Sequence, residues 1–244
     1  TDLPDGTSYQ KIGESTTTNF LDNSISPNNT YCYRLVAVFP NFIQSVISEE
    51  YCVESKIVLP YFTKISVEKT SENLGEIAIS WRVSDSINQI GNTNNMFYQL
   101  YQIQNNTPVL IYQSTNLTDT SFIHTNSNTL NQQFNYQIVL KNNLDLELQS
   151  SIAQNPFIVL QAQNQSVDIR WNINVPWQND TFYIYQQSTN NPTDFFVIDS
   201  TANNFYTVKN LPNNQEYCFK IQSKGQYKIG DYLDSIVNFS QIAC

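Results

Sequence analysis

Short stretches of alternating apolar and polar residues recur along the chain. The segments GEIAISW at 75–81 and QSVDIRW at 165–171 both alternate toward a tryptophan, and YQLYQ at 98–102 matches FYIYQ at 182–186. A period of two residues is the signature of a β-strand with one buried face. Turn residues separate these stretches, and no segment of convincing length has a helical period. The pattern therefore predicts an all-β protein.

A longer repeat organises these strands into modules. Three segments approach an anchor tyrosine, at Tyr31, Tyr136 and Tyr217, through turn-forming residues rich in Asn. The spacing between the anchors is that of whole domains and not of short solenoid repeats. We predict complete β-sandwich modules at 55–155 and 156–244.

The region 1–54 contains only the tyrosine part of this repeat, because no tryptophan strand precedes Tyr31. We expect it to be the C-terminal half of a module. Half a sandwich leaves its inner face exposed and does not fold stably alone. We therefore expect that the missing strands belong to a longer polypeptide or are supplied by another component.

The order of the elements resembles the fibronectin type III family, in which a tryptophan lies on strand B and a tyrosine on strand F closes a corner of the sandwich. The resemblance covers 56–244 and implies tandem immunoglobulin-like β-sandwiches. Modules of that family are usually spacers or binding surfaces, so the resemblance implies a protein that is not an enzyme. It assigns structural core positions to five aromatic residues: Trp81, Trp171, Tyr31, Tyr136 and Tyr217.

The four cysteines form two matched pairs in this fold. Cys32 and Cys218 each follow an anchor tyrosine, and Cys52 and Cys244 lie further along the next strand, across turn-like residues. Residues opposite each other on strands F and G lie within disulfide reach. The middle module has Gln137 and about Gln154 at the matching positions, so both partners are absent together. Free buried thiols and a four-cysteine zinc site remain the alternatives.

A closer resemblance comes from YCYRLVAVF at 31–39, SEEYCVE at 48–54 and the final NFSQIAC. These runs are similar to fibronectin-like repeats of large Bacteroidota surface proteins associated with gliding motility, which carry a sorting domain of type IX secretion. The resemblance implies a secreted or outer-surface protein. The cysteine-free middle module and the missing sorting domain depart from that pattern.

Composition and charge exclude several classes of function. The net charge is −9 with only 12 basic residues, and no basic run or face is present, so nucleic acid and anionic membranes are poor partners. No apolar stretch approaches the length of a transmembrane helix. We expect no cofactor and no metal site, because the chain has neither a phosphate-binding glycine loop nor a calcium loop.

Candidate catalytic chemistry is sparse. The single histidine, His124, is expected on the surface, and no nucleophile motif accompanies it. Acidic residues occur close together at 49–50 and at 145 and 147. We interpret these carboxylates as solvated charges on outer faces or edge strands and not as a glycosidase pair.

Candidate glycan chemistry is of two kinds. Trp177 follows Pro176 in the loop after strand B of the third module and is the one residue placed to stack on a bound sugar. Ser86, Ser200 and Ser235 lie in Asp-Ser triplets that resemble the O-glycosylation acceptor of Bacteroidota. Six N-x-S/T triplets are also present, and several are expected by chance in an Asn-rich chain.

These observations lead to a structural or interaction role as the first functional hypothesis. The modules would form a semi-rigid stalk whose short linkers, at 54–56 and 154–155, restrict rotation. The expected partners are other modules of the polypeptide and proteins or glycans at the cell surface, with 84–96 as a candidate contact loop. The alternative is a set of carbohydrate-binding or accessory modules of a secreted hydrolase.

Overall fold

A computed structural model describes residues 9–20, 22, 30–54, 59–83, 95–143, 147–227 and 234–244. Within these ranges every regular element is a β-strand except a 3₁₀ turn at Pro40–Phe42. The chain divides into two compact units, Thr1–Ile57 and Val58–Cys244. The protein is therefore all-β, as the alternation predicted.

The first unit contains a disulfide-linked hairpin, which we call the 30–54 hairpin. Strand β1 (Thr30–Tyr33) pairs antiparallel with β2 (Tyr51–Glu54), and Cys32 lies directly opposite Cys52. An isolated bridge between Val38 and Gln44 extends the pairing toward the 3₁₀ turn.

The middle module is a sandwich of two antiparallel sheets. Its strands are β3 (Pro60–Lys69), β4 (Gly75–Val83), β5 (Phe97–Gln104), β6 (Thr107–Ser114), β7 (Ser121–Ser127), β8 (Asn135–Lys141), β9 (Glu147–Gln149) and β10 (Ala153–Gln154). One sheet has the order β3-β4-β7 and the other the order β10-β8-β5-β6, with β9 also pairing β8. The two short strands β9 and β10 together form the seventh strand.

The third module repeats this arrangement. Its strands are β11 (Phe157–Gln163), β12 (Ser166–Asn172), β13 (Gln178–Gln187), β14 (Phe195–Thr201), β15 (Phe205–Lys209), β16 (Phe219–Gln226) and β17 (Ile236–Phe239). Their sheet orders are β11-β12-β15 and β14-β13-β16-β17. In both modules the first, second and fifth strands form one sheet and the others form the second. The chain thus contains tandem fibronectin type III-like sandwiches, as its sequence predicted.

Asparagine forms many of the turns between these strands. Asn105 and Asn106 both have positive φ and connect β5 to β6, which is the geometry of a two-residue type I′ hairpin. Asn tolerates the left-handed region better than other non-glycine residues. Part of the Asn content therefore has a local structural explanation.

Each sandwich has its own aromatic core. Trp81 and Tyr136 are fully buried in the middle module, and Trp171 is buried in the third. Trp81 meets Tyr98 at a ring-centroid distance of 5.7 Å, and Trp171 meets Phe182 at 5.2 Å. In both modules the strand B tryptophan packs against an aromatic residue of the next strand along the chain, Tyr98 on β5 and Phe182 on β13. Burial raises the pKa of Tyr98 to about 12.

Two of the predicted core tyrosines lie at the margin of their modules instead. Tyr31 and Tyr217 are only half-buried. The hydroxyl of Tyr217 donates to the carbonyl oxygen of Pro212 at 3.3 Å and to Oε1 of Gln215 at 3.0 Å, which is the geometry of a tyrosine corner. The Tyr217 hydroxyl stays at the surface because its hydrogen-bond partners, Pro212 and Gln215, lie in the turn before strand F.

The strand register also corrects the alignment of the anchors. Leu100 lies opposite Ile138, and the equivalent Ile184 lies opposite Ile221. Counting back from these pairs along strand F, Tyr136 is equivalent to Phe219. The sequence alignment had matched Tyr136 with Tyr217, two residues earlier on that strand.

Candidate interaction site

The two sandwiches of the second unit contact each other along β3 and β17. These two strands are not joined by the usual backbone-to-backbone hydrogen bonds of a sheet. Instead, three backbone N–H groups donate to side-chain oxygens of the other module. The bonds run from Ile65 N to Asn238 Oδ1 at 2.7 Å, from Phe239 N to Ser66 Oγ at 3.0 Å and from Ile242 N to Thr70 Oγ1 at 2.8 Å. Asn238 and Ser66 are fully buried, so the first two bonds satisfy side-chain oxygens that water does not reach.

Trp177 lies in this module interface and is not available to a sugar. Only 5% of its surface is exposed, and it packs in the hydrophobic cluster of the middle module although it belongs to the third. Its ring meets that of Tyr227 at 6.0 Å, and its Nε1 donates to Asn179 Oδ1 at 3.2 Å. The prediction of an exposed stacking residue was therefore wrong, because the neighbouring module covers the loop.

Tyr227, next to Trp177, also contacts the middle module. Its hydroxyl donates to the carbonyl oxygen of Phe62 at 2.8 Å, and its ring lies edge-on to Tyr61 at 5.4 Å. Ile236, 1% exposed, joins the same cluster from the start of β17. The interface thus has an apolar centre and a row of hydrogen bonds, of which the Ile65–Asn238 bond is buried and the others are partly buried.

The linker between the modules is also fixed by hydrogen bonds. Asn155 is fully buried, and its Oδ1 accepts from the backbone N–H of Phe134 at 2.8 Å. The Gln133 side chain donates to the carbonyl oxygens of Asn155 and Asn172, at 2.9 and 3.0 Å. The linker at 154–155 is thus bound to both modules. Residues 55–56 of the other predicted linker and residues 84–94 of the candidate loop lie outside the described residues.

A lysine beside the interface is surrounded by aromatic rings. The Nζ of Lys220 lies 4.7, 5.0 and 5.6 Å from the ring centroids of Phe195, Phe239 and Tyr185. Burial lowers the pKa of Lys220, whereas the carboxylate of Glu68, from the middle module, acts in the opposite direction. The cation therefore interacts with both modules.

Both predicted disulfides are confirmed. Cys32 bonds to Cys52, and Cys218 bonds to Cys244, with Cα atoms 4.0 Å apart in each pair. Each bond joins strands F and G near the same end of its hairpin. The alternatives of free thiols and of a zinc site are thereby overturned. Disulfides of this kind are typical of an oxidising environment outside the cytosol.

An amide pair occupies the disulfide position in the middle module. Gln154 lies opposite Asn135, and its Nε2 donates to Asn135 Oδ1 at 2.5 Å. The sequence alignment had placed Gln137 there, but Gln137 instead donates to the carbonyl oxygen of Ser150. The predicted position of Gln154 is confirmed. Its partner is Asn135 and not Gln137, which lies two residues further along the strand.

This pair gives a direct test of the corrected register. We expect the double substitution Asn135→Cys with Gln154→Cys to form a third disulfide that raises the free energy of unfolding by about 3 kcal/mol, because the bond restricts the unfolded chain. Thermal unfolding with and without reductant measures the gain. The matched control is Gln137→Cys with Gln154→Cys, which should retain two free thiols in a thiol titration. A bond formed only in the control would contradict the register.

A serine that the sequence analysis missed recurs in all three hairpins. It lies four residues before Cys52, Gln154 and Cys244, and its hydroxyl does two things each time. It accepts a strand F backbone N–H at 2.9–3.0 Å and donates to the next residue's carbonyl oxygen at 2.8 Å. The serines are Ser48, Ser150 and Ser240. Their spacing from the G-strand cysteine was the signal in the sequence.

His124 is half-buried in the middle module and not on the surface as predicted. Its Nδ1 lies 2.8 Å from the hydroxyl of Tyr136, and its ring lies edge-on to Phe134 and Tyr136, both at 5.8 Å. Burial lowers the pKa of His124, because the charged imidazolium loses water. The residue packs in the aromatic core and satisfies a buried hydroxyl.

The lowered pKa of His124 makes stability depend on pH. The neutral imidazole is favoured in the fold, so its contribution is complete above the unfolded pKa of about 6.5 and is lost as pH falls through the lowered folded pKa. We expect the free energy of unfolding to fall more steeply from about pH 7.5 to about pH 5 in the wild type than in His124→Gln. Chemical denaturation across this range measures both slopes. Equal slopes would contradict the assignment.

The acidic residues considered as a catalytic pair are engaged in ion pairs. Glu50 lies 3.7 Å from Arg34, and Glu147 lies 2.9 Å from Lys141. The Lys141 side chain lowers the pKa of Glu147 through its hydrogen bond. Asp145 lies outside the described residues. Where the structure describes them, these carboxylates have the surface role that the sequence suggested.

Two of the three candidate O-glycosylation serines are described, and both Ser200 and Ser235 are exposed. Asp199 accepts the backbone N–H of Ser200 at 2.7 Å and the hydroxyl of Tyr206 at 2.6 Å, and the Tyr206 bond is the main cause of its lowered pKa. Ser86 lies outside the described residues. The N-x-S triplet at Asn238 is inaccessible in the fold, because Asn238 is fully buried in the module interface.

Comparison with known proteins gives no independent support for the fold. No family model and no curated protein matches the chain. Among solved structures it is similar to the crystal structure of the chicken CNTN1 FN1-FN3 domains, with 13% identity over 88% of this chain and 78% of that chain and a TM-score of 0.25. The fold assignment therefore rests on the strand order described above. Among the described residues, no helix is long and apolar enough to cross a membrane.

Proposed function

We propose that this chain is a structural and interaction segment, a stalk or spacer, of a large secreted or outer-surface protein. The observation that carries the proposal is the module interface centred on Trp177, which makes residues 58–244 one compact unit. A spacer needs this property, since a fixed arrangement of modules sets the distance between the parts it joins. The two disulfides are consistent with an oxidising compartment.

The cellular setting is the second part of the proposal. The resemblance of the cysteine hairpins to repeats of Bacteroidota surface proteins favours a role in gliding motility, adhesion or type IX secretion. An antibody raised against this chain should label intact cells of the source organism, and protease added outside the cells should remove the signal. Labelling only after the cells are opened would contradict the proposal.

The rigid-spacer part has its own test in solution. Spin labels placed on strands of the middle and third modules, for example at Glu76 and Arg170, should give one narrow distance distribution. The same labels in a Trp177→Ala protein should give a broad one, because the apolar centre of the interface is lost. A broad distribution in the wild type would exclude a rigid spacer.

The structural role is favoured over carbohydrate binding because Trp177, the predicted stacking residue, is buried. A glycan array probed with the whole chain tests this choice, and saturable binding to an oligosaccharide would support the accessory-module alternative.

Modification by glycans at Ser200 and Ser235 is a separate proposal. Intact-mass measurement of the protein secreted by its own host should show added hexose, and an unmodified mass would refute it.

A further inference from the structure

Strand β14 (Phe195–Thr201) lies at the edge of the four-stranded sheet of the third module. It pairs antiparallel with β13, and the register places Phe196 opposite Gln186 and Val197 opposite Tyr185. Phe196 is 50% exposed and Val197 is 48% exposed. Because successive residues of a strand point to opposite faces, the edge presents apolar side chains on both of its faces.

The backbone groups of Phe195 and Val197 face the open side of β14. Gln187 directs its backbone toward β16, where its N–H donates to the carbonyl oxygen of Cys218 at 2.9 Å. Its partner on β14, Phe195, therefore belongs to a non-hydrogen-bonded pair and directs its own N–H and C=O away from β13. The direction alternates along a strand, so Phe196 faces β13 and Val197 faces outward again. Two donors and two acceptors thus lie along the edge.

Several other edge strands of the 58–244 unit have a feature that prevents strand addition. Strands β3 and β17 cover each other through the hydrogen bonds described above, and the side chain of Gln241 bonds both backbone groups of Ile158 on β11. Strand β6, the equivalent edge of the middle module, contains Pro108, which has no N–H to donate. Residues 195–198 of β14 read FFVI, with neither a proline nor a charge. An apolar, exposed edge of this kind is suited to pairing with another strand.

This edge is complementary to a second copy of itself. When two β14 strands lie antiparallel with Phe196 opposite its counterpart, Phe195 of each copy lies opposite Val197 of the other. Both of these pairs are hydrogen-bonded, so all four outward groups of each strand find a partner across the two-fold axis. The two Phe196 residues form the pair between them, with Cα atoms about 4.5 Å apart, close enough for their rings to pack.

A bulge limits the length of this pairing. The register with β13 shifts between Ile184 and Tyr185, which leaves Ile198 as the extra residue on β14. The regular part of the edge is therefore short and the buried area is small, so we expect a dissociation constant on the order of 100 µM. Each copy has a net charge of −9, so added salt should strengthen the association by screening the repulsion.

We propose that this chain pairs with a second copy of itself through β14, so that the four-stranded sheets of two third modules become one eight-stranded sheet. The occupant is a second copy because the segment Phe195–Val197 supplies matching donors, acceptors and apolar side chains on both sides of the two-fold axis. The inference goes beyond the spacer role and does not rest on it, since β14 lies on the complete third module and the pairing uses its backbone edge.

Cysteine substitution in the whole chain tests the register. Under mild oxidation Phe196→Cys should give a disulfide-linked dimer, because the two Cα atoms lie within disulfide reach. Val197→Cys is the matched control: its position is equally exposed, but its counterpart lies diagonally across the strands, about 7–8 Å away and beyond the usual reach. The dimer should form at least about tenfold faster in Phe196→Cys than in Val197→Cys. Equal rates, or a faster rate in the control, would overturn the proposal.

Sedimentation equilibrium of the cysteine-unaltered chain, from about 10 µM to about 1 mM, measures the association itself. Val197→Pro removes an outward N–H and should weaken the dimer by about tenfold or more, whereas Val197→Ala should weaken it by no more than about threefold. Circular dichroism shows whether Val197→Pro is folded, and if it is not, the cysteine pair decides alone. A wild type that stays monomeric over this range, or a dimer that folded Val197→Pro leaves unchanged, overturns the proposal.

Discussion

Replacing Trp177 by alanine is expected to lower the free energy of unfolding of the 58–244 unit by about 3–5 kcal/mol, the usual cost of deleting a buried aromatic ring. For a unit of this size the melting temperature should fall by about 6–20 °C. The ring fills the centre of the interface against Tyr227, so its loss leaves a cavity that neither sandwich closes alone. Differential scanning calorimetry of the whole chain measures both quantities.

The same substitution should also change how the modules unfold. In the wild type, shared apolar contacts and buried hydrogen bonds make the two sandwiches unfold together, whereas in Trp177→Ala their transitions should separate. Phe205→Ala is the control, since Phe205 is 60% exposed and its removal should change stability by about 0.5 kcal/mol or less. A Trp177→Ala protein as stable as Phe205→Ala would show that the interface does not couple the modules.

The repeated strands and both disulfides could be predicted from sequence because each depends on local features. Alternation identified the strand B tryptophans, since one buried face imposes a period of two. The cysteine pairs followed from the hairpin that joins strands F and G. The error at Tyr136 has a specific cause: Phe134 and Tyr136 are both aromatic and two residues apart, so a slip of two keeps every side chain on its face. Only the pairing with Leu100 and Gln102 distinguishes the two registers.

The interface between the middle and third modules could not be predicted from the sequence, for a different reason. Asn238, Ser66 and Thr70 are polar residues in or beside strands, and locally each resembles an ordinary solvent-facing position. Their hydrogen bonds join positions more than 170 residues apart in the chain. The same holds for Trp177, which follows a proline in a loop. Burial by a neighbouring module leaves no periodic signal in the segment that is buried.

Removing the Cys218–Cys244 bond is expected to lower the free energy of unfolding of the same unit by about 2–5 kcal/mol, a typical cost for a native disulfide. The bond fixes the segment after β17, which closes the third sandwich. Within this segment the buried Gln241 side chain accepts from Ile158 N at 3.1 Å and donates to Ile158 O at 2.8 Å, so it connects the two sheets of the module. Loss of the bond should therefore loosen strand β11 as well as the segment itself.

The effect should extend to the module interface, because Ile242 lies two residues before Cys244 and donates to Thr70 of the middle module. In Cys218→Ala with Cys244→Ala, hydrogen exchange at the Ile242 amide should accelerate together with that at Ile158. The double substitution Cys32→Ala with Cys52→Ala is the matched control: it removes a bond of the same kind from the other unit and should leave these two amides unchanged. Similar exchange at both amides in wild type and Cys218→Ala/Cys244→Ala would mean that the hydrogen bonds of Gln241 and Thr70 hold the segment without the covalent bond.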